Sequence, residues 1–298
     1  MAINATLGDR AFRAINGVVL GCVTVIAIAP LIHILAISLS SNDMVVAGEV
    51  TLWPRRFTLD AYRFLSREPR FFRALSVTLV RLGIGTVLNM FLCVITAYPL
   101  SKEKRQFTGR SIYVWFFAFT MFFSGGLIPL YIVVSQTGVM DTIWALVLPT
   151  ALNVWFVVLM LNFFRGVPKE LEEASLMDGA THFRTLFAIY LPISLPSVAT
   201  ILLFSAVYHW NSWFDGFIFI NFPEDYPLQT YLASLVMQAG QGATRGQMSP
   251  EDLERLRNIG DKNLEIAQIF FGMLPIMLVY PFLQRYFVKG IVIGSVKG

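Results

Sequence analysis

An all-α fold that crosses a lipid bilayer several times is predicted by three features of this 298-residue sequence. Only 14% of its residues are charged, against roughly 25% in an average soluble domain. Hydrophobic residues make up 56%, with 26 Phe and a mean hydropathy of +0.63, more apolar surface than a chain of this size encloses in water. The apolar residues also gather into six runs of a length suited to crossing hydrocarbon, which takes about 20 residues at about 1.5 Å rise each. Low charge and the absence of low-complexity tracts exclude disorder. Two cysteines, Cys22 and Cys93, both in apolar runs, exclude a disulfide scaffold or cysteine-rich metal site. A net charge of +4 with no dense basic face excludes a nucleic-acid partner and leaves membrane lipid as the surroundings.

The predicted spans are 17–38, 82–100, 112–134, 143–164, 193–214 and 266–287. The first has signal-peptide features, since Arg10 and Arg13 precede it and Ala27-Ile28-Ala29 imitates a cleavage site. Its apolar run continues to Leu39, beyond an h-region of roughly 7 to 15 residues, so an uncleaved helix is expected. Gly17 and Gly21 add the small-xxx-small spacing of closely approaching helices. In the third span, Ser124-Gly125-Gly126 reads as a helix kink or a point of close packing. Asn89, Asn153 and Asn162 are polar residues in apolar helices, open to interhelical hydrogen bonding or to substrate contact.

Orientation follows from the basic residues. Lys102, Lys104, Arg105 and Arg110 fill the second short loop, 135–142 has none, and Arg285, Lys289 and Lys297 follow the last span, so both termini are expected in the cytoplasm. The first loop goes against this pattern, with Arg55, Arg56, Arg63, Arg67, Arg70 and Arg73 facing outward; long loops obey the rule less strictly, and 57–72 is expected to form an interfacial amphipathic helix.

The spans are nearly empty of ionisable groups, which disfavours an ion-coupled carrier. Arg81 and Asp215 fall at span edges, His33 lies near the outer end of the first span, and His209 belongs to a polar and aromatic cluster in the fifth. With His182 they are the only three histidines, in different places, so no catalytic constellation and no metal set is expected. The sequence also lacks a G-x-x-x-x-G-K-[ST] phosphate loop, so the chain binds no nucleotide cofactor of its own and any ATPase is a separate chain.

The loop 166–192 reads as a helix with both ends specified. Pro168 suits its first position, Glu170, Glu172 and Glu173 favour the positive end of its dipole, and Gly179 supplies a left-handed stop. Thr181 is a plausible N-cap for a second short helix running to the Leu191-Pro192 break.

Glu173-Ala174-Ser175, then Gly179, then Leu191-Pro192 closely resembles the EAA loop of permease subunits of binding-protein-dependent ABC importers. Together with the six spans, Trp210-Asn211-Ser212-Trp213 and the closing Gly294-Ser295-Val296-Lys297-Gly298, the sequence is similar to carbohydrate-uptake permeases of the kind of the smaller maltose-importer permease. Phe123 to Pro129 is further similar to permeases for larger or acidic oligosaccharides, including alginate importers. The resemblance implies a type I importer permease fold with six transmembrane helices and a cytoplasmic coupling helix, as a single transmembrane domain over 1–298 in the bacterial inner membrane. It implies a second homologous permease, an ATPase dimer that holds ATP and Mg, and a periplasmic or surface solute-binding protein as partners. It assigns coupling to Glu173, Ala174, Ser175, Asp178 and Gly179, and to Gly294, Lys297 and Gly298 of a tail that reaches the ATPase. Ser175 departs from the alanine of the motif, and both residues are small.

Sugars are bound by aromatic faces and by amide or hydroxyl groups, and Tyr208, Trp210, Asn211, Trp213 and Asp215 supply that mixture; an interfacial aromatic belt would use the same residues. The outer loop 215–265 contains Gln238, Gly240, Gln241 and Gly242, to which the resemblance assigns contact with the binding protein. Ser249-Pro250-Glu251-Asp252 starts an expected surface helix ending near Arg257. A permease for an amino acid or peptide, or an ion-coupled carrier, is the alternative reading.

Overall fold

The computed structural model describes residues 7–241 and 263–278, and all the regular structure among them is helical. The described residues fall into two compact units, one formed by the chain up to Pro69 together with the stretch from Ser234 to Leu274, the other by Arg70 to Ala233 and the residues from Pro275.

In the first unit, α1 (Leu7–Ser38) bares apolar side chains such as Val18 and Ile26 all round, the pattern of a helix solvated by lipid. After it, α2 (Asn42–Val46) packs Val45 against Ala36 and Val50, and Ser40 pairs with Phe57 in a short bridge. His33 lies at this end of α1, its Nδ1 2.5 Å from the Thr51 carbonyl. The expected amphipathic helix over 57–72 is instead α3 (Asp60–Leu65), capped by the Thr58 hydroxyl, and then a new helix from Pro69. Proline lacks the N–H and restrains the residue before it, so it starts a helix more readily than it continues one.

The second unit is organised around α4 (Pro69–Ser101), whose 33 residues give a length of about 50 Å. The expected third span is broken into α5 (Arg110–Phe122) and α6 (Leu127–Gln136), bent by 113° where Gly126 takes φ +87. The fourth is bent by 50° between α7 (Ile143–Val147), with its 3₁₀ extension to Thr150, and α8 (Val154–Arg165). Asn153 caps α8 by accepting from Trp155 N at 3.0 Å, and Asn89 of α4 donates to the Ala151 carbonyl at 3.2 Å. Both asparagines therefore satisfy backbone groups freed by the break, as lipid requires; Asn162 is exposed.

Beyond α8 come α9 (Lys169–Met177) and α10 (His182–Thr185), which runs through a π turn into α11 (Leu191–Ile193). An 85° bend at Ser194 leads to α12 (Leu195–Asn211); the missing N–H of Pro196 leaves the ladder open there. The stretch expected as an outer loop begins with two helices, α13 (Phe214–Phe219) and α14 (Leu228–Gln241). Last comes α15 (Asn263–Leu278), the described part of the sixth predicted span. Among the described residues, α1 from Ala11 and α4 are each long and apolar enough to cross a membrane, and up to five spans result if each bent pair is one.

The core of this unit joins α4, α8 and α12 through Cys93, Ala97, Tyr98, Met160, Phe164 and Ile201. Gly85 of α4 faces the buried His209 ring so closely that a β-carbon would overlap it. Gly85→Ala is therefore expected to destabilise the protein by about 1–3 kcal/mol, read as a lower unfolding temperature in detergent. The two ends of α4 are tied to different loops. Near its start Arg73 pairs with Asp225, and just after its end Lys102 pairs with Glu172. Asp141 also accepts from Asn221, so the loops after α6 and α13 meet each other, while the 166–181 loop lies at the other end of α4.

Candidate coupling site and solute path

The α9 loop is built as a rigid knuckle. Pro168 precedes the helix in extended geometry, and Glu170 and Glu172 occupy the first turn, where the dipole favours negative charge. Gly179, at φ +77, ends it, with Gly179 N donating to Leu176 O and Ala180 N to Ser175 O at 3.0 Å each. Thr181 then caps α10, its hydroxyl accepting from Arg184 N.

The inner side of α9 carries Glu172 and Ser175. The Ser175 hydroxyl is 2.8 Å from that of Thr185 and buried, so the departure from alanine is absorbed inside the loop. Glu172 Oε1 is 2.8 Å from Lys102 Nζ, and Glu172 Oε2 accepts from the Tyr190 hydroxyl at 2.6 Å. Lys102 Nζ also lies 3.9 Å and 4.0 Å from the ring centres of Tyr98 and Tyr190. Burial alone would raise the Glu172 carboxyl, but the Lys102 charge and the Tyr190 donor outweigh it and hold it below the ordinary carboxylate range. Glu172 thus stays ionised at neutral pH, and this stabilising contribution disappears only as pH falls through its lowered value.

The outer side presents Glu173, Ala174, Asp178 and Gly179, all exposed. Met177 beside them is 88% exposed and Phe183 71%. Exposed acidic and apolar side chains thus stand together on the side of α9 away from its anchoring network. Four of the five expected coupling residues in this loop therefore share the outer face, and Ser175 points inward. Gly294, Lys297 and Gly298 lie outside the described residues, as does the expected helix from Ser249 to Arg257.

The candidate solute-path residues divide. Tyr208, Asn211 and Trp213 are exposed at the end of α12 and just beyond it. Trp210 is buried, and Asp215 is occupied by Arg81, which is completely buried and meets it in a fork. Arg81 also donates toward the Ser212 and Leu146 carbonyls, and Asp215 Oδ1 accepts from the Ser212 hydroxyl and Gly216 N at 3.0 Å. Of the candidate binding-protein contacts, Gln238, Gly240 and Gln241 belong to the last turn of α14 and Gly242 falls outside the described residues. Sequence reasoning treats Lys102 only as a topology marker and Glu172 only as a dipole partner. Tyr98 one turn before Lys102 is the local signal that this lysine has a fixed place.

Residues 89–293 match the family described as binding-protein-dependent transport system inner membrane component. The chain belongs to that family. The permease is 37% identical over 293 residues to Protein LplC of Bacillus subtilis, covering 98% of this chain and 97% of LplC. It is also 37% identical over 277 residues to the polygalacturonan/rhamnogalacturonan transport system permease protein YtcP of the same organism, covering 92% and 93%. A chain in the crystal structure of a bacterial ABC transporter involved in the import of the acidic polysaccharide alginate superposes with a TM-score of 0.87 at 30% identity, covering 96% of the permease and 100% of that chain. The expected all-α importer-permease fold is met.

Proposed function

We propose that the permease is one of two membrane subunits of an ATP-driven importer that moves acidic oligosaccharides into the cytoplasm by alternating access. The observation that carries this reading is the exposed face of α9, with Glu173, Ala174 and Met177 outward and Glu172 anchored behind. A separate ATPase dimer, which holds ATP and Mg, docks on that face and displaces it as it closes, and the tail with Gly294, Lys297 and Gly298 reaches the same partner. Displacement of a packed unit biases a two-state arrangement of this permease and a homologous one. The solute arrives on a binding protein that contacts the region around Gln238 to Gly242. Tyr208, Asn211 and Trp213 offer aromatic faces and an amide to the sugar, while Trp210 is buried and Asp215 accepts from the Ser212 hydroxyl between them. The acidic cargo is supported by what YtcP and the alginate transporter are named for.

Both termini lie in the cytoplasm in this reading, with Lys104 on the same side and Gln241 opposite. With an impermeant thiol reagent, Gln241→Cys is expected to react in intact cells and Lys104→Cys only in inverted membrane vesicles; reaction of both from one side contradicts it. Function is tested by co-purifying the complex and screening saccharides, amino acids and peptides for stimulation of its ATPase activity. Stimulation by oligouronides supports the proposal, and stimulation by amino acids or peptides alone refutes the cargo.

A further inference from the structure

Two ion pairs of opposite polarity join the segment after α4 to α9. Lys102 meets Glu172, with both side chains at most 8% exposed, and its neighbour Glu103 meets Lys169 on the surface. On α9 the two partners are three residues apart, on adjacent turns of one face. On the other side they are consecutive and directly follow the last residue of α4. The alternation of sign fixes the orientation, because sliding α9 by one turn would oppose like charges. Around the inner pair, Tyr98 from α4 and Tyr190 from the turn before α11 pack edge-on against each other and both rings lie against the ammonium, and the Tyr190 hydroxyl holds the second oxygen of Glu172. Tyr98 also packs edge-on against Phe164 of α8. A buried ion pair is retained at a cost in desolvation, and the well-attested reason to keep one is to fix register.

We propose that the Lys102–Glu172 pair, with Glu103–Lys169 beside it, is the link through which displacement of α9 is carried into α4, so that α9 and the inner end of α4 move as one body. The link deepens the proposed function and rests on it. Lys102 and Glu172 are positioning residues that touch neither solute nor nucleotide. Because α4 reaches the opposite side of the unit, where Arg73 holds Asp225, motion imposed at α9 is delivered there along a single helix.

The test uses the assembled complex and a readout that needs no sugar: the change in reactivity of Ser76→Cys, at the far end of α4, toward an impermeant maleimide when the ATPase is trapped with vanadate and ATP. The link predicts that Lys102→Met and Glu172→Gln each reduce this change at least about tenfold while the complex assembles and hydrolyses ATP, and that Lys102→Arg preserves it. An undiminished change in both Lys102→Met and Glu172→Gln overturns the link. Should those variants fail to assemble, a second measurement decides. Glu103→Cys with Lys169→Cys, joined by a short bismaleimide with Cys22 and Cys93 replaced, leaves the buried pair untouched. With Ser76 left in place, so that the reagent meets no third thiol, the cross-linked complex is expected to retain stimulation of its ATPase by loaded binding protein, and loss of that stimulation on cross-linking overturns the link. Failure of oligouronides to stimulate the wild-type ATPase would refute the cargo and leave this test standing.

Discussion

Glu173→Lys is expected to abolish stimulation of the ATPase by loaded binding protein while the permease still inserts and folds. Glu173 is exposed, one residue beyond the anchored Glu172, and the network that holds α9 in place uses Glu172, Ser175 and Tyr190 instead. Glu173 lies past the first turn of α9, so reversing its charge costs the helix itself less than the roughly 0.3–1 kcal/mol of a first-turn position. At a docked interface, replacing one member of a charged contact by the wrong sign costs about 2–5 kcal/mol or more, which is a loss of thirtyfold to several thousandfold at 1.4 kcal/mol per decade. The measurement is ATPase activity of the purified complex with and without loaded binding protein, next to a check of membrane insertion. Stimulation equal to wild type would remove the coupling role of this face.

The second large effect lies at the other side of the same unit. Arg81 is fully buried and its guanidinium forks onto Asp215, whose oxygens also hold Ser212 and Gly216. Removing one partner of such a pair leaves a charge in an apolar interior, at a cost of about 3–5 kcal/mol. Arg81→Met is therefore expected to lower the unfolding temperature in detergent by roughly 10 °C, taking 2–4 °C per kcal/mol for a domain of this size. Replacing both residues with apolar ones of similar volume should recover most of the loss, because the unpaired charge is then gone. Unchanged stability of Arg81→Met would show that the pair carries no such load.

Much of this was legible in the sequence, and the pattern of what was not is instructive. Gly179 and Thr181 were readable because a left-handed stop and a side-chain cap are local requirements, met within four residues. The apolar runs were readable because lipid imposes a length on them. Their breaks were less so. Gly125-Gly126 announced one, but the bends at Asn153 and Ser194 depend on which neighbour receives the freed backbone groups, and Asn89 lies about sixty residues from the carbonyls it satisfies. The pairs Arg81–Asp215 and Lys102–Glu172 were invisible for the same reason, since nothing local tells which distant charge enters the same interior. Asp215 accordingly reads from sequence as a candidate for the solute path and in the structure as the partner of an arginine.

The central claim is tested most directly by reconstituting the permease with its homologous partner, the ATPase and the binding protein in proteoliposomes, and following labelled oligogalacturonate. Accumulation that requires both ATP and the binding protein is the predicted result. Accumulation driven by an ion gradient without ATP, or ATP-driven accumulation of amino acids or peptides with none of the oligouronide, would contradict it.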